Sequence, residues 1–170
     1  MKKTFYIFLC LVAMIFSGCR VDKNIDPTIM PAITNTGENT FGCLVNGWVT
    51  VGGRYYDVWT LWGDTRSIAF DYYESSNYVD VCVKIDETPD QYLKFRINNV
   101  ATDVFLPHNC TFENAILSDS RYSGSEILIE NSGNVTITTF NDADSIKIIS
   151  GIFYGNKITE GRFDVHYRDK

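Results

Sequence analysis

The chain has 170 residues, 45% of them hydrophobic, and carries 15 basic against 21 acidic side chains for a net charge of −6. That acidity excludes nucleic acid and anionic lipid as charge-driven partners, since both need basic patches. The length fits one domain with a core large enough to fold without a metal or a covalent staple.

The chain opens with Lys2 and Lys3, then an apolar run from Phe5 to Phe16, then Ser17, Gly18 and Cys19. A basic start, a short hydrophobic stretch and a small-residue cleavage zone make an export signal, and the run is short for a spanning helix. Ser17-Gly18-Cys19 resembles the lipobox of bacterial lipoproteins, in which cleavage precedes a cysteine that is then acylated. The resemblance implies attachment to the lipid bilayer through acylated Cys19, because two or more acyl chains hold durably where one does not. Without Lys2 and Lys3 the balance becomes 13 basic against 21 acidic residues, or −8. Residues 20–26 are of mixed charge, which leaves the membrane face open: periplasm or cell surface.

Three segments are expected: a lipoprotein signal peptide over 1–18, a lipidated cysteine with a flexible tether over 19–39, and an antiparallel β domain over 40–170. Pro27, Pro31 and Gly37 break the tether. Fully extended, about 20 residues reach roughly 65–70 Å. Its last part has the alternative of lying along the domain.

Period-2 alternation dominates from Thr40 onward, the signature of sheet with one face on a core. Phe41, Cys43 and Val45 alternate before an Asn46-Gly47 hairpin turn. Gly42, set between Phe41 and Cys43, predicts a bulge or a close backbone approach. Val58 to Trp62 reads as a strand. Ile68, Phe70 and Tyr72 share a face. So do Val79, Val81, Val83 and Ile85, and then Leu93, Phe95 and Ile97. Thr111 to Asp119 fits a short helix or a strand equally, because Phe112, Ala115 and Ile116 have helix-like spacing. Glu126–Glu130 and Val135–Phe140 read as two strands joined across Asn131-Ser132-Gly133-Asn134. A polar turn at 141–144 precedes a strand over 146–154. Phe163, Val165 and Tyr167 then alternate against Arg162, Asp164 and His166, which read as a solvated face. Gly151 and Gly161 are expected to mark bulges. Short connections favour hairpins. The expected class is all-β, a single antiparallel β-sandwich or flattened β-barrel.

Cys43, Cys82 and Cys110 follow the lipobox. An exported protein permits a disulfide, yet three cysteines cannot all pair, and either one bridge or none satisfies the sequence. Cys43 is expected to be a small buried hydrophobe. No zinc-type spacing, His-Glu-x-x-His, Gly-x-Ser-x-Gly or phosphate-cradling loop occurs, so neither cofactor nor metal is expected and no catalytic residues are assigned. His108 with Cys110 is the nearest approach to a nucleophile pair. The Asn141-Asp142-Ala143-Asp144 run lacks the glycine and distal glutamate of a calcium loop.

Two motifs resemble a family of small Bacteroidetes lipoproteins known only as a domain of unknown function. The first runs from Met30-Pro31-Ala32-Ile33-Thr34 into Thr36-Gly37-Glu38-Asn39-Thr40-Phe41-Gly42-Cys43-Leu44-Val45-Asn46-Gly47. The second joins Ser150-Gly151-Ile152-Phe153 to Ile158-Thr159-Glu160-Gly161-Arg162-Phe163-Asp164-Val165. The resemblance implies a cell-envelope lipoprotein with an all-β domain, most simply in the outer membrane, and brings no catalytic residues with it.

Aromatic clustering is the remaining functional signal. Trp48, Tyr55, Tyr56, Trp59 and Trp62 crowd together, with Tyr72, Tyr73 and Tyr78 following. Flat rings stack on sugars and suit interfaces, although a β core also needs large side chains. Tyr55, Tyr56, Trp59 and Trp62 are the candidate ligand contacts, for a glycan or a protein. The expected function is a membrane-anchored, non-enzymatic binding or accessory module. The alternatives are a carboxylate-based, glycoside-type hydrolase and a structural or assembly subunit.

Overall fold

The computed structural model describes residues 28–52, 67–101 and 104–170, apart from 86, 87, 89, 120, 122–124, 144 and 145. The strand expected over 58–62 and the candidate contacts Tyr55, Tyr56, Trp59 and Trp62 lie outside the described residues, as does Cys19. Ten strands are found: β1 (Thr40–Val45), β2 (Trp48–Gly52), β3 (Ile68–Tyr73), β4 (Tyr78–Lys84), β5 (Gln91–Asn98), β6 (His108–Asp119), β7 (Glu126–Ala143), β8 (Ile146–Tyr154), β9 (Ile158–His166) and β10 (Arg168–Asp169). Among the described residues there is no α-helix, only a 3-10 turn at Glu74–Ser76. The all-β class is as the alternation predicts.

The strands form one sheet in the order β10-β3-β4-β5-β6-β7-β8-β9-β1-β2, antiparallel at every pairing except β10 with β3. This sheet curls into a half-barrel. β10 follows β9 directly and crosses to pair with β3, while Gly52 at the end of β2 bridges to Ile85. The two ends of the sheet are thereby brought toward each other.

Curling turns the apolar alternate faces toward each other. Phe70 of β3 meets Phe163 of β9 at 5.1 Å between ring centres, and Phe95 of β5 meets Phe153 of β8 at 5.3 Å. Phe41 joins them 5.4 Å from Phe153, and Phe112 stands edge-on to both Phe95 and Phe153. Tyr72, Phe140 and Tyr167 make a second aromatic group toward the end where β10 crosses. The predicted inward sets on β3, β4 and β5 are all buried.

Three of the expected elements differ, the first being the polar turn at 141–144, where β7 runs on as far as Ala143. Thr111–Asp119 is strand, part of β6, and its helix-like spacing has a local cause. Asn114 adopts a positive φ of 53° and the β5–β6 register slips there, so Phe112 and Ala115 both face inward three residues apart. A bulge inserts one residue and so converts period 2 into an apparent period 3. The Asn131–Asn134 turn is absent, and β7 runs unbroken through it. Gly133 is needed there because Phe112 lies across it: a Cβ at 133 would sit 2.3 Å from the Phe112 ring. The same device recurs at Gly161 under Phe153 and at Gly151 against Phe163, each glycine being the cross-strand partner of the ring that covers it. A ring laid over a cross-strand glycine restores the contact that the missing side chain gives up.

The Asn46-Gly47 hairpin forms as expected, with both residues at positive φ. Gly42 makes the expected close backbone approach, while the bulge beside it falls on β9 at Glu160-Gly161, as expected for Gly161. The β1–β9 register shifts between Gly42 and Leu44, and a Cβ at Gly42 would lie 2.5 Å from Pro31. Within this bulge, Glu160 takes a left-handed φ of 52°, which costs a side-chain-bearing residue roughly 1 kcal/mol. Glu160→Gly should therefore raise stability by about 0.5–1 kcal/mol in urea denaturation, offset only slightly by loss of the 3.7 Å contact to Arg162. A loss of stability would show that the glutamate side chain has a structural task.

The outward residues of β9 are not the solvated face that alternation predicts. Residues 30–38 lie over them. Asp164, 1% exposed, accepts hydrogen bonds from the backbone amides of Thr36 (3.1 Å), Gly37 (2.8 Å) and Glu38 (3.1 Å) and from the Ser150 hydroxyl (2.6 Å). Arg162 donates to the Pro31 carbonyl at 3.1 Å. The segment before β1 is thus clasped to the body from about Met30, which is the alternative placement for the end of the tether.

Candidate functional site

The outward face of the sheet between β3 and β8 carries two parallel rows of side chains. Successive cross-strand pairings place Tyr73, Tyr78, Asn98, Thr111, Asn134 and Tyr154 in line across six strands. All six are at least partly exposed, and Tyr154 is 52% exposed. Every member carries a hydroxyl or an amide and none is charged. Among the described residues, none of these side-chain polar groups has a hydrogen-bond partner within the protein. The adjacent row is its opposite in character: Arg168, Asp71, Asp80, Arg96, Glu113 and Ser132. Arg96 grips Asp80 with two bonds of 2.7 and 3.1 Å, and Arg168 bonds Asp71 at 2.7 Å through Nε.

The rows touch at one end. Tyr73 stacks on Tyr78 at 4.6 Å, and the Arg96 guanidinium lies 3.9 Å from the Tyr78 ring centre. Tyr73 comes from β3 and Arg96 from β5, so the Tyr78 ring is braced from both neighbouring strands. This fixes its orientation without using its hydroxyl. Burial, with neighbouring Tyr78, Asp80 and Asp71, raises the Tyr73 phenol above its ordinary range, so it stays a neutral donor. Tyr73 and Tyr78 were legible as aromatics. The row they head was not, because it exists only once the cross-strand register is known.

The remaining chemistry is quiet. Among the described residues no three of His, Cys, Asp and Glu could hold a metal ion. His108 opens β6, and its Nε2 lies 2.9 Å from the Asn99 carbonyl oxygen. The Cys110 thiol donates to that same oxygen at 3.3 Å. Both groups therefore serve one carbonyl, and neither activates the other. The three thiols are free. Burial pushes Cys43 up to about 12 and Cys110 up to about 11, and it also raises Cys82, against a smaller lowering from Lys94. The thiolate is the reactive form, so iodoacetamide at pH 8 should modify only half-buried Cys82 slowly and leave Cys43 and Cys110 untouched until denaturation. Site-resolved mass spectrometry reads this directly, and fast labelling of Cys110 in the native state would contradict the geometry.

The solvated face expected at Arg162, Asp164 and His166 is replaced by the clasp. Burial works to raise the Asp164 carboxyl, but hydrogen bonds from Ser150 and the strap amides outweigh it, and the group is held below its ordinary value. The Thr34 hydroxyl oxygen is buried without a well-formed hydrogen bond of its own. Its dipole nonetheless favours the charged carboxylate. Glu130, 8% exposed, has a similar task at the other end of the sheet, accepting the amides of Asn156 and Lys157 at 2.7 Å each. Neither carboxylate was legible as a clasp, since each reads locally as an ordinary strand position.

Comparison with protein-family models, curated proteins and solved structures yields no match.

Proposed function

We propose that the protein is a membrane-anchored cell-envelope lipoprotein whose β domain is a non-enzymatic binding module. The leader and its Ser17-Gly18-Cys19 ending support the anchor. The row of unpaired hydroxyls and amides across the outward face supports the binding role, and it is the observation that carries this reading. With residues 30–38 held on the body, at most about ten residues separate Cys19 from it, a reach of roughly 35 Å. The domain would then be held close over its membrane.

The carboxylate-hydrolase reading is weaker. Asp71 and Asp80 are cross-strand neighbours, but each is committed to a guanidinium on the outward face of the sheet. Retaining and inverting mechanisms both need a carboxyl group free to pass a proton. The assembly-subunit reading has one observation in its favour. Residues 126–133 of β7 pair with β6 but run beyond the end of β8, and Ile127 and Leu128 there are 61% and 50% exposed. Among the described residues this edge is unpaired, and such an edge with apolar side chains is a template for another chain, although Glu126 and Glu130 flank it.

The anchor is tested by intact mass of the native protein from membranes and by fractionation of a Cys19→Ala variant. A diacylglyceryl mass on an N-terminal Cys19 and loss of membrane retention in the variant are expected. A chain still beginning at Met1 with no added mass overturns the reading.

A further inference from the structure

We infer that the Tyr73–Tyr154 row binds an uncharged oligosaccharide lying across the strands, an inference that rests on the binding-module reading and names its ligand class. Three observations converge on it. First, the chemistry: in an acidic chain, six aligned positions offer only hydroxyls, side-chain amides and aromatic faces, with a tyrosine at each end. Such groups both donate and accept, which suits a polyhydroxylated ligand and gives nothing to a charged polymer or an apolar peptide.

Second, the spacing. Neighbouring strands lie about 4.8 Å apart, so the row offers one polar group per strand over roughly 24 Å. That step is close to the length of a pyranose unit, and a linear glycan would meet successive side chains in register.

Third, the cost to the fold. Asparagine is depleted in strands, where Thr, Val or Tyr fits better. Asn134 nevertheless sits within β7 and Asn98 at the end of β5, and neither amide makes a hydrogen bond that would justify its place among the described residues. Asn109, one row further on, contrasts with them, since its Oδ1 accepts from Thr136. Positions that break a local rule without an internal return are where function resides.

The test uses the full chain in detergent micelles, run on native gels containing mixed-linkage β-glucan, xylan, galactomannan or glycogen, with polygalacturonate as the acidic control. At least one neutral polysaccharide should retard the protein, and added salt should leave the retardation unchanged. Asn134→Thr should weaken it about tenfold, the effect of one lost hydrogen bond, while raising the thermal midpoint by about 1–3 °C. Tyr78→Ala should also weaken binding, with the midpoint recorded to confirm folding. Retardation by none of the neutral polymers overturns the inference. So does retardation by polygalacturonate alone, or binding that survives both substitutions. An acylated, membrane-retained protein that fails these gels would lose the ligand class and keep the anchor.

Discussion

Phe153→Ala is expected to destabilise the protein by about 3–5 kcal/mol, the range for removing a fully buried aromatic. The ring, 1% exposed, lies between Phe41 and Phe95 at 5.4 and 5.3 Å and is 6.1 Å from both Phe112 and Phe163. It is thus shared by strands from opposite sides of the curled sheet. It also covers Gly161, where an added Cβ would stand 2.5 Å from the ring and 2.5 Å from the Phe153 carbonyl oxygen. Gly161→Ala alone should therefore cost about 2–3 kcal/mol by overpacking. The double variant discriminates between models of this pair. Removing the ring relieves one clash and leaves the carbonyl contact, so the two losses should fall short of additivity by about 1 kcal/mol in urea denaturation. Strict additivity would mean that ring and glycine are not coupled.

That pairing also shows where sequence reasoning stops. Alternation over Ile68–Tyr72, Val79–Ile85 and Leu93–Ile97 made those strands and their inward faces legible, because a period of 2 survives wherever the ladder is regular. It failed where the ladder is interrupted. Asn114 breaks the period within β6, and Gly133 imitates a turn while serving as a bed for Phe112. At Gly133 the deciding partner is a residue on another strand, and at Asn114 the break shows only in the cross-strand register. The candidate site divides the same way. Tyr73 and Tyr78 stood out as rings, while Asn98, Thr111 and Asn134 are unremarkable until the register aligns them. The candidate contacts Tyr55, Tyr56, Trp59 and Trp62 lie outside the described residues, and the proposed row is drawn from other side chains.

Asp164→Ala should cost about 2–4 kcal/mol and free residues 34–38 from the body. Three amides and the Ser150 hydroxyl converge on this carboxylate, and each would lose its acceptor. A buried donor left unpaired costs about 1–3 kcal/mol, so the full sum would exceed what the clasp can hold. The segment has a cheaper route, which is to lift away and give its amides to water. That limits the loss to the docking free energy of the strap, including the packing of Met30 and Pro31 on Gly42. Hydrogen exchange separates the outcomes. Thr36, Gly37 and Glu38 amides should lose protection while the β8–β9 ladder keeps its own. The same release should occur in acid. The Asp164 carboxyl is held below its ordinary value of about 4, so its contribution is fully present above that pH and is lost as pH falls through the lower, folded value. Asp164→Asn should therefore remove the acid step and show loosened strap amides already at neutral pH. If those amides stay protected in the variant, the strap is held by its apolar contacts and the carboxylate is incidental to it.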